Sequence, residues 1–290
     1  MTAPHPSPDK PLTPQHAWQP FTPRGVAAFG SATLTRTILA QFAVAVFIGF
    51  AFIWALRAAW VPVINEAIQR LPDTGSIRQG TLHYNGESPR RLAENRHLAI
   101  VIDLAGSREA GHVADLEVTL EKNRVAVHGP VGAWWQNYDP RYTISCNRPE
   151  LEPWWGAWRW ALLAVGAIAL GASLFVMWWA LALVYVPLVK FIAFFTDRAV
   201  TWRGAWRVAA AALLPGACLV GLALLLYGSG AVGLLHFGLL YALHVVMGWV
   251  YIFTSPLFLP KLAVAVEVGN PFNTTGLAIP PNPFGDAEKK

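Results

Sequence analysis

The chain has 290 residues, 54% of them hydrophobic and only 13% charged, with a mean hydropathy of +0.39. Soluble domains carry roughly 25% charged residues, so this composition excludes an ordinary water-soluble globule. The formal net charge of +5 sits in short segments flanking apolar runs, which is a topology signal and gives no footing for a nucleic-acid partner.

In chain order, seven prolines up to Pro23 and little periodic hydrophobicity predict a disordered, Pro-rich cytoplasmic tail over residues 1–36, clearest from Met1 to Gln19. A bilayer core of about 30 Å needs roughly 20 helical residues. Thr37 to Leu56 supplies 20 uncharged residues and is the first span, retained in the protein. Residues 57–159 follow as a connecting domain. Arg57 to Leu71 reads as a helical extension of span one, ending at Leu71-Pro72-Asp73. Candidate strands are Ile77–Tyr84, Leu98–Leu104, Leu116–Glu121, Arg124–His128 and Tyr142–Asn147, with Lys122-Asn123 as a two-residue hairpin turn.

Thirty uncharged residues separate Arg159 from Lys190, so residues 160–189 form the second span. Trp154, Trp155, Trp158 and Trp160 crowd one end of it, and Trp178 and Trp179 follow about 28 Å later at 1.5 Å per residue, as interfacial anchors would. The span is therefore predicted to end near Trp179, with Ala180–Phe195 bending into an interfacial helix, the alternative being one long helix through Pro187. A connector over 190–207 carries Trp202, Arg203, Trp206 and Arg207 as an anchor for anionic headgroups. The next 53 uncharged residues are broken by Gly228-Ser229-Gly230 into a third span, 208–227, and a fourth, 232–255, before a tail over 261–290. Lysines and arginines lie in the N-terminal tail, the 190–207 connector and the C-terminal end, whereas the hairpin turn has none. Both termini are thus predicted cytoplasmic, with residues 57–159 extracytoplasmic. The fold class is an α-helical integral membrane protein of four transmembrane helices with a small β-rich (α+β) domain inserted between spans one and two.

Chemistry is sparse. The spans contain no Asp, Glu, Lys or Arg, which disfavours a proton-coupled pump. His236 and His244 lie eight residues apart on one helix, too far along its axis to grip one ion. Ser229 with these histidines resembles the serine and histidine of intramembrane serine proteases, but Tyr227 stands where that family's Gly-x-Ser-Gly pattern has glycine. His83, His97, His112 and His128 lack metal spacing, and Cys146 and Cys218 occupy a polar and an apolar stretch, so no cofactor, metal or catalytic residue is assigned. Small-xxx-small pairs, Ala167/Gly171, Ala217/Gly221 and Gly238/Ala242, suit helix packing within the bundle or against another subunit. Asn-Pro-Phe at 270–272 and 282–284 and the sequon at Asn273 fall in the tail; the first pair reads as turns and the sequon as unmodified.

One span, a domain opened by Leu71-Pro72 and Ile77-Arg78-Gln79-Gly80, the run Leu98 to Leu104 with Asp103, and three more spans together resemble an uncharacterised bacterial multi-pass membrane family. Some of its members are encoded near maltodextrin-utilisation genes. The resemblance covers most of the chain in layout and implies a bacterial inner-membrane protein with a periplasmic domain; it carries over no catalytic residue. The Pro-rich and Asn-Pro-Phe tails depart from it. The leading expectation is a non-enzymatic accessory or sensor-like component whose outer domain binds a partner or ligand, with the lipid bilayer and a membrane protein or second copy as partners. The alternatives are a passive or lipid-handling transporter and an enzyme acting on lipid-linked or cell-wall substrates.

Overall fold

The computed structural model describes residues 20–106 and 114–262. Among the described residues four helical rods are long and apolar enough to cross a bilayer: Leu34–Gln69, Arg148–Phe195, Trp202–Gly228 and Leu234–Phe258. Two sheets form a separate β-domain between the first two rods. The architecture is therefore mixed α and β, with the β-domain at one end of the helical bundle, called the domain end below; the opposite end is the tail end.

The first rod is two helices rather than the unbroken extension expected from the sequence. Helix α2 (Leu34–Ala59) is capped by Thr33, whose Oγ1 accepts the Arg36 N–H, and stops at Trp60. Helix α3 (Val61–Gln69) begins with Pro62 in its first turn. A proline has no N–H to continue the ladder, yet Trp60 N still reaches Leu56 O and Ile64 N reaches Trp60 O, so the rod is jointed and not broken. The third rod repeats the device. Helices α5 (Trp202–Ala212) and α6 (Leu214–Gly228) meet at Leu213, with Pro215 in the first turn of α6. This rod begins six residues earlier than the sequence suggested, because Thr201 caps it through the Gly204 N–H.

The second rod differs more. Helix α4 (Arg148–Phe195) is one helix of 48 residues containing Pro153 and Pro187, about 72 Å long at 1.5 Å per residue. The expected end near Trp179 and the separate interfacial helix are not found. Pro187 removes one hydrogen bond, to Leu183 O, and a single missing bond leaves the helix intact where packed neighbours hold it. The fourth rod is α7 (Leu234–Thr254), closed by a 3-10 turn at Ser255–Phe258.

Helix α2 packs on α4 and α6, α4 packs on α5, and α6 packs on α7. Burial is uneven: 61% of the most apolar window of α5–α6 is buried, against 6% for α4. Val165, Ile168, Val176, Leu183 and Val184 of α4 and Leu235, Leu239, Val246 and Val250 of α7 are exposed. In water each such side chain forgoes about 1.5–3 kcal/mol of burial; against lipid it forgoes none.

The N-terminal region corrects the expectation of disorder up to residue 36. Thr22 Oγ1 caps a short helix α1 (Pro23–Ala28). Val26, Ala27, Ala28 and Phe29 pack at the tail end with Val186 and Val189 of α4, the alanines of α5, and Leu259. Residues 1–19 and 263–290, with the Asn-Pro-Phe segments and Asn273, lie outside the described residues.

In the β-domain, the expected strand Ile77–Tyr84 is a hairpin: β1 (Gly75–Arg78) pairs antiparallel with β2 (Thr81–Tyr84). Gln79 and Gly80 both have positive φ (50° and 74°), the tight-hairpin conformation that glycine accommodates without strain. Strand β8 (Ile144–Ser145) adds to β1, giving the order β2-β1-β8. The larger sheet runs β3-β4-β5-β6-β7, comprising Arg90–Glu94, Leu98–Asp103, Leu116–Glu121, Arg124–Gly129 and Gly132–Asn137. Strands β4 and β5 are parallel and the other neighbours antiparallel. The Lys122-Asn123 turn falls where expected, while β3 and β7 were not anticipated. Between the sheets lie Ile77, Leu82, Leu92, Leu98 and Ile102, joined by Val63 and Ala67 of α3, with Leu151 of α4 packed against them. Two rods thus end inside the domain core.

Candidate functional site: a polar cleft seated on the second rod

A concave polar feature, a cleft of about 510 Å³, lies on the face of the β2-β1-β8 sheet. One wall is made by Ser76 and Arg78 of β1, His83 of β2 and Ser145 of β8; the other by Asp73 and Thr74, which follow the first rod, and by Asn147 and Glu150 at the start of α4. Short strands with small polar residues on the outer face leave this surface open, while Ile77 and Leu82 turn to the core. Asn147 is the N-cap of α4. Its Oδ1 accepts the Glu150 N–H at 3.1 Å and its Nδ2 donates to Gly75 O at 3.3 Å, so one side chain ties the helix start to β1. Arg148 Nη2 lies 2.9 Å from Asp73 Oδ1, and Arg148 N donates to Pro72 O at 3.1 Å, which joins the end of the first rod to the start of the second. Asn85 Nδ2 donates to Thr74 Oγ1 at 3.1 Å across the rim. With Glu150, Asp73, Arg78 and His83 lining it among neutral amides and hydroxyls, the cleft offers hydrogen bonds of both polarities. That suits a small polar ligand held in several directions.

Behind the sheet two ionisable groups, Cys146 and Tyr138, are held neutral. Burial pushes the Cys146 thiol up, and burial, reinforced by Cys146 and Glu121, pushes the Tyr138 phenol up. Neither offers a reactive anion at neutral pH.

The domain is also fastened to the bundle by the loop between β3 and β4. Asn95 Nδ2 donates to Ala59 O at 2.6 Å, and its Oδ1 accepts the N–H groups of His97 and Leu98 at 2.8 and 2.9 Å. Arg96 donates to the carbonyl of Gly230, in the turn between α6 and α7. The His97 ring stands edge-on to Tyr227 at 4.4 Å, with Nδ1 3.3 Å from Asp115 Oδ2. A third tie crosses between rods, where Trp155 Nε1 donates to Asn65 Oδ1 at 2.7 Å.

No protein-family model, curated protein or solved structure matches this chain. Whatever function is assigned rests on these residues alone.

The residues singled out from the sequence distribute as follows. Trp154, Trp158 and Trp160 are half exposed along α4, and Trp160 is flanked by Arg57 and Arg159 at 5.7 and 5.5 Å. Trp178 departs from the expected interfacial role: it is 4% exposed and packs with Val44, Ile48 and Leu214. Trp179 spends its indole N–H on Gln41 at 3.1 Å and meets Trp206 edge-on at 5.7 Å. Trp202 is exposed under Lys190, and Arg203 and Arg207 line an apolar groove beside it. Gly49 approaches Ala167, and Gly221 meets Phe47, whereas Gly171 and Gly238 have open space beside them, and Ala242 is exposed. Ala217 is buried against α2.

Ser229 Oγ donates to Leu226 O at 2.8 Å, as a turn serine does. His236 is exposed, and His244 Nδ1 contacts Tyr241 O one turn away on the same helix. The three are therefore not assembled into a catalytic group. Among the described residues no cluster of three or more His, Cys, Asp or Glu could hold a metal ion.

The sequence reasoning missed the cleft and the Asn95-Arg96-His97 fastening. Both are built from loop ends and strand termini whose spacing carries no period. The only local signal was Asn147 three residues before Glu150 at the head of an apolar run, an N-cap pattern.

Proposed function

We propose that the protein is a non-enzymatic membrane component, sensor-like or accessory, whose β-domain binds a small polar ligand or a partner's polar segment in the cleft and passes the event to the helices. The observation that carries this is the composition of the cleft wall. It includes both the β1-β2-β8 sheet and the first turn of α4, so an occupant would bridge the domain and a 48-residue helix that reaches the far end of the bundle. Packed rods that end in the domain core provide a rigid route for such a shift. We further assign the tail end, with Lys190, Arg198, Arg203 and Arg207, to the cytoplasmic side of a bacterial inner membrane on the positive-inside rule.

The test is a thermal-shift screen of the full-length, detergent-solubilised protein against neutral sugars, amino acids and short peptides. At least one compound is expected to raise the unfolding midpoint saturably. Arg78→Gln and His83→Gln, both exposed strand positions, should each raise the half-saturating concentration by about tenfold, the loss of one charged or polar hydrogen bond. A panel without a saturable binder, or binders indifferent to both substitutions, would remove the assignment.

A further inference from the structure

At the tail end, away from the cleft, a second cavity of about 780 Å³ lies between α4, the 196–201 link, α5 and the segments that follow α1 and α7. Lys190, Arg198 and Arg207 all line it, and Asp and Glu are absent from its lining. Each cation has one hydrogen bond to a backbone carbonyl: Lys190 Nζ to Val200 O at 2.8 Å, Arg198 Nη1 to Leu259 O at 2.6 Å and Arg207 Nη2 to Gly30 O at 2.9 Å. Among the described residues none of the three takes part in an ion pair with a carboxylate, and the Nε atoms of Arg198 and Arg207 are buried without a hydrogen-bond partner. The neighbouring carboxylate, Asp197, is exposed and does not line the cavity.

Three positive charges gathered in a half-buried, mostly apolar cavity lose hydration and repel one another, a cost that an anion offsets. Guanidinium groups with unused N–H donors match the geometry of phosphate oxygens, which accept two parallel bonds. We propose that Lys190, Arg198 and Arg207 form a binding site for an anionic phosphoryl group. Arg207 also lines the adjoining groove of about 810 Å³, whose other walls include Trp179, Leu183, Pro187, Trp202 and Trp206. A phosphoryl group carrying acyl chains would fill both spaces, with its phosphate on the three cations and its chains along α4. A soluble phosphate would fill the first alone.

The experiment follows thermal unfolding of the full-length protein in detergent micelles, titrated separately with phosphatidylglycerol, phosphatidylcholine and inorganic phosphate. Phosphatidylglycerol is expected to raise the midpoint saturably and phosphatidylcholine to do so at least tenfold more weakly. The Lys190→Gln and Arg198→Gln variants should require at least tenfold more phosphatidylglycerol, while Arg141→Gln, on the exposed β-domain surface, responds as the wild type. Stabilisation by phosphatidylglycerol alone identifies a lipid as the source; an equal response to inorganic phosphate identifies a soluble anion. Should Arg198→Gln fail to fold, Lys190→Gln carries the test, since its side-chain amide can still donate to Val200 O. No saturable effect of either anion, or equal responses of wild type and Lys190→Gln, would overturn the proposal.

Discussion

Replacement of Gly216 by valine is expected to destabilise the helical bundle by about 3 kcal/mol, the upper part of the range for overpacking a filled interior. A Cβ at this position would lie 2.5 Å from His244 O, a main-chain atom of α7. A carbonyl inside a helix cannot swing aside as a side chain can, so α6 and α7 must separate to admit the substituent. Gly221 makes the informative comparison. Its added Cβ would meet the Phe47 ring at 2.3 Å, but the obstacle is a side chain, 37% exposed, and not main chain, so Gly221→Val should cost clearly less. Gly171 and Gly238 have nothing within 4 Å. Their alanine variants should be neutral or more stable by up to about 1 kcal/mol, the helix-propensity gain. Unfolding midpoints of the four variants in one detergent give the order directly, and a Gly238→Ala variant as damaged as Gly216→Val would contradict this packing.

The second large effect is expected at Asn95. Asn95→Leu removes one donor and an acceptor serving two N–H groups, and leaves Ala59 O and the His97 and Leu98 amides unpaired at a part-buried joint. At about 1 kcal/mol per net hydrogen bond the loss is about 3 kcal/mol. The same change releases the β3–β4 loop from the end of α2, so limited proteolysis between Glu94 and Leu98 should accelerate along with the fall in midpoint. Asn95→Asp keeps the acceptor and should recover much of the stability. Asn85→Ala, at an exposed position with one bond to Thr74, is expected within about 0.5 kcal/mol of wild type.

These two residues also mark where the sequence was legible and where it was not. The apolar runs located all four rods, because length and absence of charge are local properties. Joints at Trp60 and Leu213 escaped notice although Pro62 and Pro215 stood in plain view, since a proline in a first turn bends a rod without ending its apolar run. Tryptophan spacing misled at Trp178, whose ring turns inward where α2 and α6 offer a core, so interfacial enrichment did not decide a single position. Small-xxx-small spacing named Gly171 and Gly238, where an added Cβ would meet nothing within 4 Å, and passed over Gly216, because close approach depends on the facing helix. In the β-domain, alternation found β5 and the Lys122-Asn123 turn. Strand β7, with Trp134 and Trp135 both exposed, has no alternation to find. The cleft assembles residues from segments far apart in the chain, and no window of sequence contains it; the three cations of the cavity do share the 190–207 connector, but its other walls come from residues 27–31 and 259–262, which no window joins to them.

The proposal that cleft occupancy reaches the helices is tested most directly at the contact between Asn65 and Trp155, which joins the two rods where they meet the domain. In a background lacking the native cysteines, an Asn65→Cys/Trp155→Cys pair in native membranes is oxidised with and without the compound selected by the cleft screen. A change of at least several-fold in the rate of disulfide formation is expected on addition of the compound, abolished by Arg78→Gln. Equal rates with and without a compound shown to bind the cleft would contradict coupling between the β-domain and the helices.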